Sequence, residues 1–521
     1  MTLGRLLIQS VTADPFPGEF LFAPAISPRK PVPLPMDCRP PQGPAESATP
    51  LSFAARARRA MTGFLPRLGR DQKDQDADQG GEEFLPVVDL ASPPGGGSGD
   101  AATRVTAAQA LPGFDEAKAL IVDAIASRAD RLTLETAAES TIWHDIDGVR
   151  LKRLGPDKGP GHDGQWKETT PLSRDAGMAI ARVLRILTGL SETGTQQAGV
   201  FGFTVDRTPA LGRMTAARST TGERIVVQFV TKATVPPRLV DAGMPEPMVD
   251  QVAKIIDHDR GLLVLSSPPG HGLTTSLDLL VEASDRFLRD FVTIADRDRP
   301  GREIVNLGSM PYGHQGDPPP ADLLKTAMNK NIGVIIAPDV RDKDFVADLV
   351  KVAATKAMVL MTIKAADAAE AVGKLLKCGV DPKVLGSAIR GSLSQRLVRR
   401  LCPRCRAQAE SPASLRVGSQ SVGTENVQVF TAAPHGCQLC RGRGYQGRIG
   451  LFELAAGDTC RRVAAVGGSV DQLRQAAVKD GMLSLRNAGR RLVSEGTTSR
   501  EEIERVLAIA SPATESGGSR K

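Results

Sequence analysis

Aromatic residues are scarce in this chain, at 4% of 521 residues with two Trp and two Tyr. Its cores must therefore be filled by aliphatic side chains, with few rings to anchor them. Cysteine is also sparse: seven in a chain of this length is too few for a secreted disulfide scaffold. No stretch approaches the ~20 consecutive apolar residues of a membrane helix. The opening MTLGRLLIQSVTADPFPGEF has no sustained apolar run before its prolines, so the expectation is a chain made and kept in the cytoplasm. A single-signed charge excess is missing as well. The net charge of +7 comes from 66 Lys and Arg against 59 Asp and Glu, which excludes a globally basic nucleic-acid coat. At ~150 residues per domain the length allows two or three domains.

Proline, by contrast, is plentiful at one end, with 11 of the 37 in the first 50 residues. Each ring fixes φ and removes a donor, so no packed element survives that density. A basic patch follows, FAARARRAMTGFLPRLGR, then the polar run DQKDQDADQGGEE and the flexible SPPGGGSGD. Residues 1–112 read as a disordered Pro/Gly-rich tail. Within it, the Arg56 to Arg70 patch reads as a solvated transient helix or as a short membrane-surface or partner helix. From Phe114 onward patterning is regular. FDEAKALIVDAIASRAD sets Leu120, Ile121, Ala124 and Ile125 on one helical face, and TIWHDIDGVRLKRL alternates around an Asp147-Gly148 turn, the signature of a hairpin. RDAGMAIARVLRILTGL reads as a helix, and FGFTVD and GRMTAARSTTGERIVVQFV as further strands. A small α+β domain at 113–232 accounts for this. From 233 to 510, helices alternate with short apolar runs (GLLVLSS, FVTIAD, NIGVIIAPD, AMVLMTIKA), as in strands buried on both faces of a parallel sheet. Residues 511–521 read as a flexible tail.

The segment GLLVLSSPPGHGLTTSLDLLVEA is an apolar strand, a Gly/Pro turn and a helix, the three parts a phosphate-binding loop needs. The motif G-x-x-x-x-G-K-[ST] is met only in part. Ser267 stands at the first Gly, Gly270 lies inside the loop, Gly272 is the second Gly, Leu273 stands at the Lys and Thr274 at the Mg²⁺-binding hydroxyl. Leu273 can neither neutralise nor hydrogen-bond a phosphate, whereas Thr274, Thr275 and the helix N-terminus still favour an anion. On its own this segment is equally an ordinary strand-to-helix turn.

Several separated motifs in one order resolve that choice. GLLVLSSPPGHGLTTSL, then AAEAVGKLLKCGVDPKVLGSAIRGSLSQRLVRRLCPRC, then GYQGRIGLFE and DGMLSLRNAGRRLVSEGTTSREEIERVL resemble, from about Phe114 to Leu507, the assembly ATPases of type II secretion and type IV pilus systems. ASRADRLTLE and DIDGVR resemble pieces of that family's first domain. The resemblance implies a RecA-like P-loop NTPase domain with a parallel-rich sheet, preceded by a small α+β (PAS-like) domain. It also implies a hexameric ring, homomeric or mixed, peripheral at the inner membrane against a platform protein and an adaptor. No nucleic acid is expected.

Family chemistry does not transfer with the fold. By resemblance, Asp339 in VIIAPDVRD stands at the Walker B acid, with Arg341 and Asp342 retained. TIADRDR places Ala295 at an acid of the Asp box, keeps Asp296, and has Arg299 where a glutamate belongs. Ala357 and Lys364 stand at the two His-box histidines. Asp339 and Asp296 remain as catalytic candidates. Gly270, Gly272, Leu273, Thr274 and Thr275 are the candidate nucleotide-binding residues, together with Arg213, which matches an N-terminal-domain arginine of the family. Phosphoryl transfer depends on placed charge, so losing lysine, acid and histidines together predicts a degenerate subunit holding MgATP weakly and hydrolysing it poorly or not at all. The alternatives are an active ATPase in which another basic residue takes the lysine's place, and a non-catalytic regulator or scaffold.

Cys402-Pro-Arg-Cys405 and Cys437-Gln-Leu-Cys440 have the knuckle spacing that binds one structural Zn²⁺. Their 31-residue separation is in keeping with the family's tetracysteine element at 402–440. Cys38, Cys378 and Cys460 have no partner at such spacing. The arginine run 390–406 reads as a solvated helix face or as a local positive density for phosphate or an acidic partner surface, and His258 and His271 carry no assigned role.

Overall fold

The computed structural model describes residues 86–91, 98–156, 166–169, 171–191, 194–220, 222–230, 236–298, 304–409 and 429–508. Residues 1–85 of the expected 1–112 tail and the expected tail at 511–521, with the Arg56 to Arg70 patch and Cys38, lie outside the described residues, as does Arg299.

The N-terminal sheet is antiparallel. Its strands are β1 (Val88–Ala91), β2 (Ala129–Thr136), β3 (Glu139–Ile146), β4 (Val149–Lys152), β7 (Leu172–Ser173), β8 (Gln196–Val205), β9 (Thr208–Arg218) and β10 (Glu223–Val230). They run β1-β8-β9-β10-β2-β3-β4, with β7 on β3, while β5 (Leu154–Pro156) and β6 (Trp166–Glu168) form a separate ribbon. Helices Phe114–Ala126 and Arg174–Thr188 cover one face, their Leu120, Ile121, Ile180 and Leu184 packing on Leu132, Phe203 and Val227. The β3–β4 hairpin turns at Asp147 and Gly148, with φ of 52° and 79°, the left-handed pair such a turn requires.

The domain boundary expected at 112 moves toward the N-terminus. β1 pairs with β8 from Val88↔Val205 to Ala91↔Gly202, and helix Ser98–Gln109 buries Ala108 in the same core.

The second sheet runs β13-β12-β14-β15-β11-β16-β19, with β11 (Gly261–Ser267), β12 (Phe291–Asp296), β13 (Gly308–Tyr312), β14 (Val334–Ala337), β15 (Met358–Lys364), β16 (Ile389–Leu401) and β19 (Tyr445–Ala455). All pairs are parallel except β16–β19. β17 (Ala407–Ala409) and β18 (Val429–Thr431) form a ribbon at the base of the cysteine element. Period-2 alternation divides the central strands cleanly. Leu263, Leu265, Phe291, Ile336 and Leu360 face helix Leu273–Ala283 through its Leu277 and Leu280. Leu262, Val264, Ile294, Ile335 and Val359 face helices Pro320–Asn329, Lys343–Thr355 and Ala368–Lys377.

The arginine run 390–406 departs from the helical expectation. Most of it is β16, where Arg396 is 1% exposed and donates to the Ala366 carbonyl at 2.6 Å. Arg399 pairs with buried Glu502 at 2.7 Å and lies over the Tyr445 ring. The charges of Arg396 and Arg399 are thus used inside the fold, while Arg400, Arg404 and Arg406 are exposed. No helix among the described residues is long and apolar enough to cross a membrane.

Candidate functional site

The C-terminal ends of β11, β15, β14 and β12 lie side by side, where parallel α/β sheets gather their functional loops. The first supplies residues 268–272, then helix Leu273–Ala283. Gly270 and Gly272 both have φ of 79°, which a side chain would strain. A Cβ on Gly272 would also stand 3.2 Å from Leu397 and 3.3 Å from the Gln395 amide. The loop is pinned there from the β16 side. His271 Nδ1 accepts the Leu397 N–H at 2.9 Å, and the His271 carbonyl accepts from Gln395 Nε2 at 2.6 Å. A role for His271 was not legible in sequence, since its partners lie more than 120 residues away.

Burial, then the positive Arg396, Arg505 and Arg448, lower the His271 pKa from 6.5 to about 4. Burial first, partly offset by Asp123, lowers His144 to about 4 as well. Both rings stay neutral in the fold down to about pH 4 but protonate below about 6.5 once unfolded. The unfolded chain therefore binds more protons in that window, and stability falls as pH drops through it. The melting midpoint should decline from pH 6.5 to 4, and less so in His271→Asn; equal declines would exclude a contribution from His271.

Leu273 packs its side chain partly into the apolar cluster beneath the helix, and Thr274 is exposed. Thr275 lines a cavity of about 610 Å³ with Gly272, Ser276, Gln395, Arg128 and Arg448. Asp339 adopts φ of 47°, and its N–H donates to Thr362 Oγ1 at 2.7 Å. Its carboxylate meets Arg341 at 3.1 Å and Lys364 at 3.7 Å. Lys364 lies directly beside Ser267 in the β11–β15 register, on the face that carries the loop helix.

Two expected residues are not part of this group. Asp296 follows Ile294 onto the other face, beside Tyr312, and accepts the Asp298 N–H at 3.0 Å. Arg213 is exposed on β9, and among the described hydrogen bonds and ion pairs none joins it to residues 267–276. Ala357, at a histidine position by resemblance, is 1% exposed and precedes β15 at its N-terminal end. Seven residues at ~3.3 Å each put it roughly 23 Å from Lys364. Its missing imidazole does not bear on the loop.

The four cysteines do converge. Sγ separations are 3.7 Å for Cys402–Cys437, 3.7 Å for Cys405–Cys440 and 3.9 Å for Cys437–Cys440. A tetrahedron with ~2.3 Å Zn–S bonds has edges of ~3.8 Å, so the set fits a metal ion. Burial and the neighbouring thiols push the Cys402 and Cys405 pKa values up. Burial acts the same way on Cys440, but the N–H groups of Cys437 and Gly444, each 3.2 Å from its sulfur, and its thiol neighbours bring it below the usual value.

The element also reaches the N-terminal domain. Arg441 meets Asp123 at 3.1 Å and Ser127 Oγ at 3.0 Å, and Arg443 donates to the Ser127 carbonyl at 2.9 Å. Two cations thereby sit at the C-terminus of helix Phe114–Ala126, where its dipole is negative. Gly447 N–H donates to Asp147 in the β3–β4 turn at 3.0 Å. In the same motif Glu453 is 3% exposed and accepts from Ala368 N–H at 2.8 Å and Leu485 N–H at 2.9 Å, joining the starts of two helices.

A family model described as Type II/IV secretion system protein matches residues 163–505. The type II secretion system protein HxcR of Pseudomonas aeruginosa is 29% identical over 350 residues, 66% of this chain and 70% of that protein. The type II secretion system protein E of Klebsiella pneumoniae is 27% identical over 391 residues, 74% of each. The solved structure of the Yersinia pseudotuberculosis ATPase DotB superposes with a TM-score of 0.51 at 14% identity, over 83% of this chain and 100% of that one, which marks a shared fold.

Proposed function

The chain belongs to the type II/IV secretion system protein family, and from that premise we propose that it is a cytoplasmic, non-hydrolysing or poorly hydrolysing subunit of a type II secretion or type IV pilus type assembly machine. It works in a homo- or hetero-hexameric ring, peripheral at the inner membrane, against a platform protein and an adaptor. Zn²⁺ in the Cys402, Cys405, Cys437 and Cys440 set holds the 402–440 element together and has no open position for chemistry.

One observation carries the reading of weak turnover. The loop helix begins with an apolar residue, Leu273, while the acid Asp339 is shared between Arg341 and Lys364. MgATP would be held by the backbone N–H groups around Gly270 and Gly272, by the Thr274 hydroxyl and, through its ion, by Asp339. Bound ATP supplies the transferable phosphate. The chain lacks the loop cation that stabilises charge on it, and such a group is typically worth about 10²- to 10³-fold in rate.

The test is Mg²⁺-dependent phosphate release from the purified chain, run beside binding of a labelled ATP analogue. Measurable binding with release at background is expected. Release that disappears in both Thr274→Ala and Asp339→Ala would sink the proposal in favour of an active ATPase.

A further inference from the structure

We propose that Lys364 is this chain's phosphate-binding cation, supplied from the strand beside the loop in place of a lysine within it. The inference rests on the reading that the chain holds MgATP. β15 is the immediate neighbour of β11, and Lys364 is the residue paired with Ser267, the last before the loop. Adjacent strands are ~4.8 Å apart, and a four-carbon side chain spans that distance with reach to spare. Alternation along β15 places Lys364 on the face of Leu360, which is the face of helix Leu273–Ala283.

Three cations close to Lys364 in the fold are differently committed. Arg396 follows Ser394 onto the opposite face and donates to the Ala366 carbonyl. Lys374 donates to the Lys364 carbonyl at 2.6 Å and pairs with Glu370 at 2.9 Å. Arg341 is bound to Asp339 and 61% exposed.

Lys364 itself is only loosely engaged. Its ammonium is 3.7 Å from Asp339, the lysine side chain is 56% exposed, and such pairs hold little against a competing ligand. A triphosphate entering the loop offers more negative charge than one carboxylate, and draws Lys364 across. That exchange relieves Asp339 of one cation in favour of Mg²⁺, so nucleotide and metal enter cooperatively. The charge then sits at the side of the loop, on β15, and not at the head of the helix, where Leu273 is found. Binding without efficient turnover follows.

The experiment measures affinity of a fluorescent non-hydrolysable ATP analogue for the full chain, with zinc content and melting midpoint as controls on folding. Lys364→Met should weaken binding at least about ten-fold, the loss expected for one charge-assisted bond. Lys364→Arg should keep most of the affinity, and Leu273→Lys placed on Lys364→Met should restore it. Without Mg²⁺, Asp339→Asn should bind at least as tightly as the unaltered chain, because the lysine is released, an effect that a merely structural role for Lys364 does not give. Equal binding by Lys364→Met and the unaltered chain would overturn the assignment and leave nucleotide binding standing. Absence of binding by the unaltered chain, with binding by Leu273→Lys, would overturn the underlying reading, and this inference with it.

Discussion

Cys440→Ala is expected to abolish stoichiometric metal binding and to lower the melting midpoint by roughly 6–12 °C, which corresponds to about 3 kcal/mol for a domain of this size. The estimate is a fraction of the ~10–16 kcal/mol that structural zinc contributes to small finger peptides. Here β16 and β19 are paired over Ser392–Leu401, largely outside the cysteine element. What depends on it is the 402–440 element and, through it, a junction. Cys440 is followed at once by Arg441, and the Cys440 carbonyl accepts from Arg443 Nε at 2.8 Å. These are the two arginines seated on the end of helix Phe114–Ala126. Loss of the ion should therefore raise protease sensitivity within the element and at its contact with helix Phe114–Ala126. Cys460→Ala is the control: Cys460 is 4% exposed in the core beside Ala464 and should keep its metal at full stoichiometry. Metal analysis and limited proteolysis of the reduced chain read both effects. Retention of one zinc per chain by Cys440→Ala, or less than one in the unaltered chain, would refute the assignment.

The sequence-based reading was sound where local rules act alone. The helices at Phe114 and Arg174, the Asp147-Gly148 hairpin and the strands at 261, 291, 334 and 358 follow from periodicity and turn chemistry, which neighbours in the chain decide. The cysteine set was legible because spacing alone implies one ion. Residues whose role is set by a distant partner escaped. Val88–Ala91 is too short to carry a pattern, and only β8 makes it a strand. The arginines of β16 read as solvent-facing because Glu502 and the Ala366 carbonyl are far away in sequence. Asp296 and Ala357 were grouped with the loop by resemblance. One residue of alternation turns the first to the wrong face, and the length of β15 removes the second. Lys364 reads in sequence as a lost histidine, whereas the register with Ser267 makes it a charge beside the loop.

Those placements define how turnover should be regained. Leu273→Lys with Ala295→Glu and Lys364→His is expected to raise Mg²⁺-dependent phosphate release at least ~10²-fold over the unaltered chain, while each change alone gives much less. Leu273→Lys moves the cation to the head of the loop helix, where it meets the phosphates directly. Lys364→His removes the ammonium 3.7 Å from Asp339 and leaves that carboxylate to Arg341 and the metal. Ala295 alternates with Phe291 onto the loop-helix face, so a glutamate there reaches the side of the sheet that Asp296 does not. Ala295 is 8% exposed, and a new carboxylate in so confined a place costs stability, so the triple variant should melt below its parent. Ala357 is left unchanged. Ala357→His would overfill a site 1% exposed at the far end of β15, costing about 1–3 kcal/mol with no gain in rate. Steady-state phosphate release decides the matter: a triple variant no faster than the unaltered chain, with zinc retained and nucleotide bound, would mean that charge at the loop is not what limits this subunit.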